Sequence, residues 1–344
     1  MTPRLTRLVA ALALALACLP LAAAAQDNVL NLYSARHYNT DEALYNDFTK
    51  ATGIKINRIE ASDDQLLERL KSEGANSPAD VLLIVDAARL AKAEELGLLH
   101  PVRSRVLEER IPAQFRDPQG EWFAFSSRAR VIVYNKAMAG AADVATYAAL
   151  ADPKFKGKVC TRSGSHPYNL SLVAASIAHE GEDRTEAWAK GVVANLARKP
   201  QGGDTDQIKA VAAGECAVGL TNSYYYARLL RSPKLDEREL VAKTGLAWPS
   251  LAGQGTHLNV SGGAVLKHAP HRENAIRFLE YLASDSAQRY FADGNNEWPT
   301  VPTVRVSNPA LEAMGTFRPD PLPIAALGKN SAAAQKLVDR AGWR

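Results

Sequence analysis

Between residues 28 and 99, two apolar periods take turns along the chain. "NVLNLYSA" alternates with a period of two, as a strand does. "NTDEALYNDFTKATG" follows with helical spacing, with Asn39 as its cap, Glu42 three residues on and Gly53 as its stop. "IKINRIE" is a second alternating strand, and "SDDQLLERLKSEG" a second helix, opened by Ser62 or Asp63 and closed by Gly74. "ADVLLIVD" is a short apolar run of the buried-strand kind, and "AARLAKAEELGLL" a third helix. Strand-helix-strand-helix-strand predicts an α/β lobe with a parallel sheet covered on both faces, because parallel neighbours need crossover helices. Ligands of such sheets bind beyond the carboxyl ends of the strands, so functional residues are expected where the chain leaves a strand.

The pattern changes at "EWFAFSSRARVIVYNK", a β-rich run from Trp122 to Tyr134 that reads as a crossover into a second lobe. That lobe holds the loop "GKVCTRSGSHPYN", the helices "LSLVAASIAHEG", "TEAWAKGVVANLAR" and "IKAVAAGE", and the strand "CAVGLTN". "HLNVSGGAVLK" reads as a return strand, followed by "RENAIRFLEYLASDSAQRYFADG" as a long amphipathic helical region. The expected division is a signal peptide at 1–25, one lobe at 26–126 with about 258–300, and a second at 127–257 with about 301–344. A chain of 344 residues allows two lobes, since single cores stop growing near about 250–300 residues. Two crossings between α/β lobes describe a hinged binding protein.

"MTPRLTRLVAALALALACLPLAAAAQ" has a basic start at Arg4 and Arg7, an apolar run, and small residues Ala23-Ala24-Ala25 before Gln26, as cleaved secretory leaders do. Export to the periplasm is the expectation. Cys18 leaves lipid attachment open, although Leu is missing from the third position before it. No second long apolar run predicts stable membrane insertion, and no basic stripe predicts nucleic-acid binding. Cys160 and Cys216 remain after export. An even pair in an oxidising compartment favours a disulfide over two free thiols, and each lies eight residues before a tyrosine, Tyr168 and Tyr224. No nucleophile elbow, P-loop or Gly-rich dinucleotide fingerprint is present, so the chain reads as a binder and not an enzyme.

"TNSYYYARLL" sets three tyrosines side by side after a strand. Neighbours on a helix lie about 100° apart, so two phenols can converge only near irregular backbone, and Asn222 or Ser223 as cap puts Tyr224 and Tyr225 in the first helical turn. "YSARHYNTDEAL" places His37-Tyr38 between the first strand and its helix, and "RSGSHPYNLSL" places Tyr168 in a loop just before another helix. Aromatic packing explains any one of these; a phenol at each of three strand-to-helix junctions points to a site. A free phenol has a pKa near 10 and ionises at neutral pH only beside a strong cation. Hard cations prefer oxygen donors, and Fe(III) carries enough charge to strip several phenols at once.

These segments, with "IVDAARLAKAEELGLL", "SSRARVIVYNK" and "NNEWPTVP", resemble in order and spacing the periplasmic ferric-iron-binding proteins of ABC importers, the Fbp, Fut and Idi type, from about residue 28 to beyond 320. The resemblance implies a type II periplasmic-binding-protein fold, a monomer, Fe(III) held between the lobes, and an ABC permease and ATPase as partners. The ligands it implies are His37, Tyr38, Tyr168, Tyr224 and Tyr225, with Tyr226 packing. A one-residue shift within Tyr224–Tyr226 and the ligation of His37 stay open. Some relatives use a glutamate at the position held here by Val85, so that carboxylate is missing. Four phenolates around Fe(III) carry a net negative charge that a dry cleft tolerates poorly. Arg36, Arg128, Arg130 and Arg228 are available to offset it, and Arg128 and Arg228 are preferred as supporting groups. A synergistic carbonate or phosphate at "RSGS" also stays open. The competing reading is a protein of the same fold for a small organic cation or phosphonate, with the tyrosines stacking on the ligand.

Overall fold

The computed structural model describes residues 28–36 and 40–344. The leader with Cys18, the expected cap Asn39 and the His37-Tyr38 pair lie outside the described residues. The alternation of the first part is observed: β1 (Val29–Ser34), helix α1 (Asp41–Thr52), β2 (Lys55–Glu60), α2 (Asp63–Glu73), β3 (Val81–Val85) and α3 (Ala87–Glu95). β1 pairs parallel with both β2 and β3. Ser62 caps α2 in a reciprocal box with Gln65, and Gly53 ends α1 in the left-handed conformation that glycine adopts without a Cβ penalty. The residue before α1 is Thr40, which makes no side-chain cap; its hydroxyl bonds Asn295 instead.

The long strand β4 (Phe123–Asn135) belongs to both halves of the molecule. Beyond it come β5 (Val159–Cys160), α4 (Pro167–Glu180), α5 (Glu182–Ala194), α6 (Asp204–Ala212), β6 (Val218–Asn222), α7 (Ser223–Leu230) and β7 (Thr244–Ala247). The chain then returns through β8 (Leu258–Val265) to α8 (Arg272–Leu282), α9 (Asp285–Asn295) and β9 (Trp298–Pro299), and ends in α10 (Ala325–Lys329) and α11 (Ser331–Ala341). The strand order is β2-β1-β3-β8-β4-β6-β5. From Phe123 to Ala129, β4 pairs with β8, and from Arg130 to Tyr134 with β6. Both pairings are antiparallel, as is β3 with β8, so the expected parallel run β2-β1-β3 is observed and the crossing and returning strands make the complete sheet mixed. The crossing strands run out and back, and an outward and a returning strand that lie side by side must point in opposite directions.

Two boundaries differ from expectation. Ser284 caps α9 through the Ala287 amide, which splits the long amphipathic region into two helices. Helix α4 starts at Pro167, capped by His166, so Tyr168 lies in the first helical turn and not in a loop before it. Proline suits that first position, where its fixed φ is already helical and its missing N–H loses no bond.

Helix α10 packs against both α3 and α4. A Cβ on Gly328 would lie 2.1 Å from that of Ala91 in α3, so only glycine allows this approach. Cys160 and Cys216 form a buried disulfide with Cα atoms 5.8 Å apart, fastening β5 to the start of β6. Replacing both by alanine should lower stability by about 2–4 kcal/mol, mostly by freeing the unfolded chain, and urea titration of oxidised wild type beside the variant measures it.

Candidate functional site

Three of the expected phenols converge. Tyr168 is the second residue of α4, and Tyr224 and Tyr225 are the second and third of α7. The hydroxyls of Tyr168 and Tyr224 are 3.1 Å apart, and the rings of Tyr224 and Tyr225 lie 4.3 Å apart, tilted by 30°. Together with Ala35, Asp63, Val85, His166, Pro167 and Arg228 they line a cavity of about 290 Å³. Ala35, Asp63 and Val85 follow or end strands of the β1–β3 half, while the tyrosines and His166 belong to the half built around β6. The cavity therefore lies between the halves, at the carboxyl ends of their strands. Ala35 leads through Arg36 to His37 and Tyr38, and Arg36 pairs at 2.7 Å with Asp41, so the flanks of the undescribed residues are tied together.

Tyr226 faces away. Its hydroxyl donates to the Thr244 carbonyl at 3.1 Å, and it belongs to the same buried apolar cluster as Val133 and Ile208. The polar residues expected to cap α7 do other work. Asn222 accepts from Arg130 at 3.1 Å, and the Ser223 hydroxyl accepts from the Ala129 amide at 3.1 Å, so α7 has no side-chain cap.

Burial, and then the neighbouring Tyr225, push the Tyr168 phenol above its ordinary range, against the Tyr224 hydrogen bond and the charge of Arg128. A buried phenol of this kind keeps its proton until a cation enters. His166 Nδ1 accepts from the Tyr168 amide at 3.2 Å. Burial, followed by Arg162, Arg130 and Arg89, holds its imidazole down to about 3, so the ring is a neutral helix cap. Among the described residues no three His, Cys, Asp or Glu side chains group so as to hold a metal. The oxygen donors in the described lining of the cavity are the three phenols and the Asp63 carboxyl.

The arginines divide by role. Arg228 lines the cavity, lies 5.2 Å from the Tyr225 ring centre and donates to Thr205 at 2.9 Å. Arg128 is turned into the crossing strands, where it pairs with Glu297 at 2.7 Å and bonds Ser261, and it reaches Tyr168 through its field alone. Burial would raise Glu297, but Arg128, Arg36 and the Ser126 hydroxyl outweigh it and hold the carboxyl below its usual range. Arg130 ties several groups around the phenols together. It bonds Asp204 at 2.8 Å, Asn222 at 3.1 Å and Asn169 at 2.7 Å, joining β4 to the starts of α6 and α7 and to α4. In the sequence Arg130 is one of four candidate arginines, His166 is part of the loop before Tyr168, and Asp63 is a candidate helix opener. The Pro167 start signal was there to identify His166 as a cap; nothing local singles out the other two.

The profile of the family described as bacterial extracellular solute-binding protein matches residues 43–315. Iron uptake protein A2 of Synechocystis is 50% identical over 334 residues, covering 96% of this chain and 95% of the relative. A structure of Trichodesmium IdiA (FutA) in complex with iron and citrate superposes with a TM-score of 0.88 at 52% identity, covering 92% of this chain and all of the other. The ferric binding protein from Campylobacter jejuni superposes with a TM-score of 0.86 at 40% identity, again covering 92% of this chain and all of the other.

Proposed function

This chain belongs to the bacterial extracellular solute-binding protein family, and on that premise we propose that it captures Fe(III) through tyrosine phenolates between its two halves and delivers it to an importer. Its fold is the type II periplasmic-binding-protein fold, and it is a binder, not an enzyme. One observation carries the ligand assignment: Tyr168, Tyr224 and Tyr225 crowd a single cavity with two hydroxyls 3.1 Å apart.

Tyr168, Tyr224 and Tyr225 belong to the half formed by 127–257 with about 301–344, while His37 and Tyr38 follow β1 in the half formed by 26–126 with about 258–300. The complete donor set therefore needs the halves shut. Fe(III) displaces the phenolic protons as it binds, so opening, reduction or reprotonation each favours release. Arg228 beside Tyr225 offsets the phenolate charge from within the cavity, and Arg128 acts on it from the crossing strands. The leader at 1–25 directs the chain to the periplasm, where it works as a monomer with an ABC permease and ATPase.

Purified protein loaded with ferric citrate at neutral pH should be coloured by a phenolate-to-iron charge-transfer band, with about one iron per chain by metal analysis. Colourless protein that takes up no iron would favour the organic-cation or phosphonate reading.

A further inference from the structure

The cavity holds one acidic side chain among its described lining, and one of its two carboxylate oxygens has no hydrogen-bond partner among the described residues. Asp63 opens α2 and faces the same space as Tyr168, Tyr224, Tyr225 and Arg228, from the opposite half of the molecule. Its Oδ1 is closed off from solvent and has no hydrogen-bond partner among the described residues. The neighbouring Asp64, by contrast, is exposed and pairs with Arg89 at 2.8 Å. Burial pushes the Asp63 carboxyl above its ordinary range, with Arg89 and the amides of Val85 and Asp63 itself opposing. Leaving a buried acceptor unsatisfied costs about 1–3 kcal/mol. Such a cost persists where the group meets a partner in another state of the protein.

We propose that Asp63 supplies a carboxylate oxygen to the captured cation, directly or through one bound water. This rests on the Fe(III) reading above. A hard trivalent ion among phenols prefers one more oxygen donor, and Asp63 offers it from the half that Tyr168, Tyr224 and Tyr225 do not represent. It thereby links cation capture to the approach of the two halves. Arg89, close enough to act on Asp63, and Arg228, lining the cavity, limit the added negative charge.

The test compares Asp63→Asn and Asp63→Glu with wild type, using Fe(III) alone in competition with citrate, the visible band, and the melting temperature of iron-free protein. Asp63→Asn keeps the shape and removes the charge. It should weaken Fe(III) binding at least about tenfold while leaving the iron-free protein as stable as wild type or more so, and Asp63→Glu should recover part of the affinity. A shift of the visible maximum in Asp63→Asn marks direct ligation; lost affinity with an unshifted maximum marks the water-bridged form. Unchanged affinity in Asp63→Asn overturns the proposal, and so does an affinity loss that merely tracks a lower melting temperature. A coloured wild type beside an unaltered Asp63→Asn removes Asp63 alone, whereas a wild type that takes up no iron removes the Fe(III) reading and Asp63 with it.

Discussion

Protein carrying Tyr224→Phe and Tyr225→Phe together should fold like wild type yet lose Fe(III) affinity by at least about a thousandfold, equivalent to about 4 kcal/mol. The two changes delete hydroxyls and keep rings. The contact of the 224 and 225 rings at 4.3 Å survives, and the bond between the Tyr168 and Tyr224 hydroxyls is lost, at about 1 kcal/mol. The cation loses two charged donors at once, which nothing else in the cavity replaces. Chelator competition measures the affinity, the charge-transfer band reports the donors, and far-UV circular dichroism with thermal melting reports the fold. Tyr226→Phe is the internal control for register: it removes a hydrogen bond to Thr244, costing about 1 kcal/mol of stability, and should leave colour and affinity unchanged. A double variant that keeps its colour and binds iron as wild type does would move the ligands off α7.

The parts of this arrangement legible in the sequence are those with local causes. The strands and helices up to α3 follow from apolar period and from punctuation by Ser62, Gly53 and Gly74, all acting within a few residues. The position of Tyr224 and Tyr225 in a first helical turn follows from the polar Thr-Asn-Ser stretch between an apolar strand and a helical run, even though Asn222 and Ser223 turn out to bond elsewhere. Periodicity carries no direction, so the antiparallel crossing strands were invisible to it. The roles of Asp63 and Arg130 are set by partners far along the chain. Arg130 meets groups 39, 74 and 92 residues away, and Asp63 faces tyrosines of the other half, so neither role leaves a mark on its neighbours in sequence.

Arg130→Leu should destabilise the protein by about 3–5 kcal/mol, the largest loss of stability expected from any single change near the site. The side chain is 2% exposed and its partner Asp204 is fully buried. Forming this pair required both charges to leave water, so deleting the arginine leaves a buried carboxylate with Arg162, at 3.5 Å, as its remaining cationic neighbour. Leucine also frees Asn169 and Asn222 from the guanidinium, and with them the starts of α4 and α7, which carry Tyr168, Tyr224 and Tyr225. Iron affinity should therefore fall alongside stability, unlike in the double phenylalanine variant, where only affinity falls. Adding Asp204→Asn tests the cause. Asparagine removes the stranded charge but keeps a carbonyl oxygen for the Asn222 amide, now 2.7 Å from Asp204, so the pair of changes should be more stable than Arg130→Leu alone. Urea unfolding of the three proteins, with and without Fe(III), separates these contributions. A loss below about 1 kcal/mol in Arg130→Leu would mean that water or a rearranged Arg162 satisfies Asp204, and that Arg130 is not what holds the phenol-bearing helices in place.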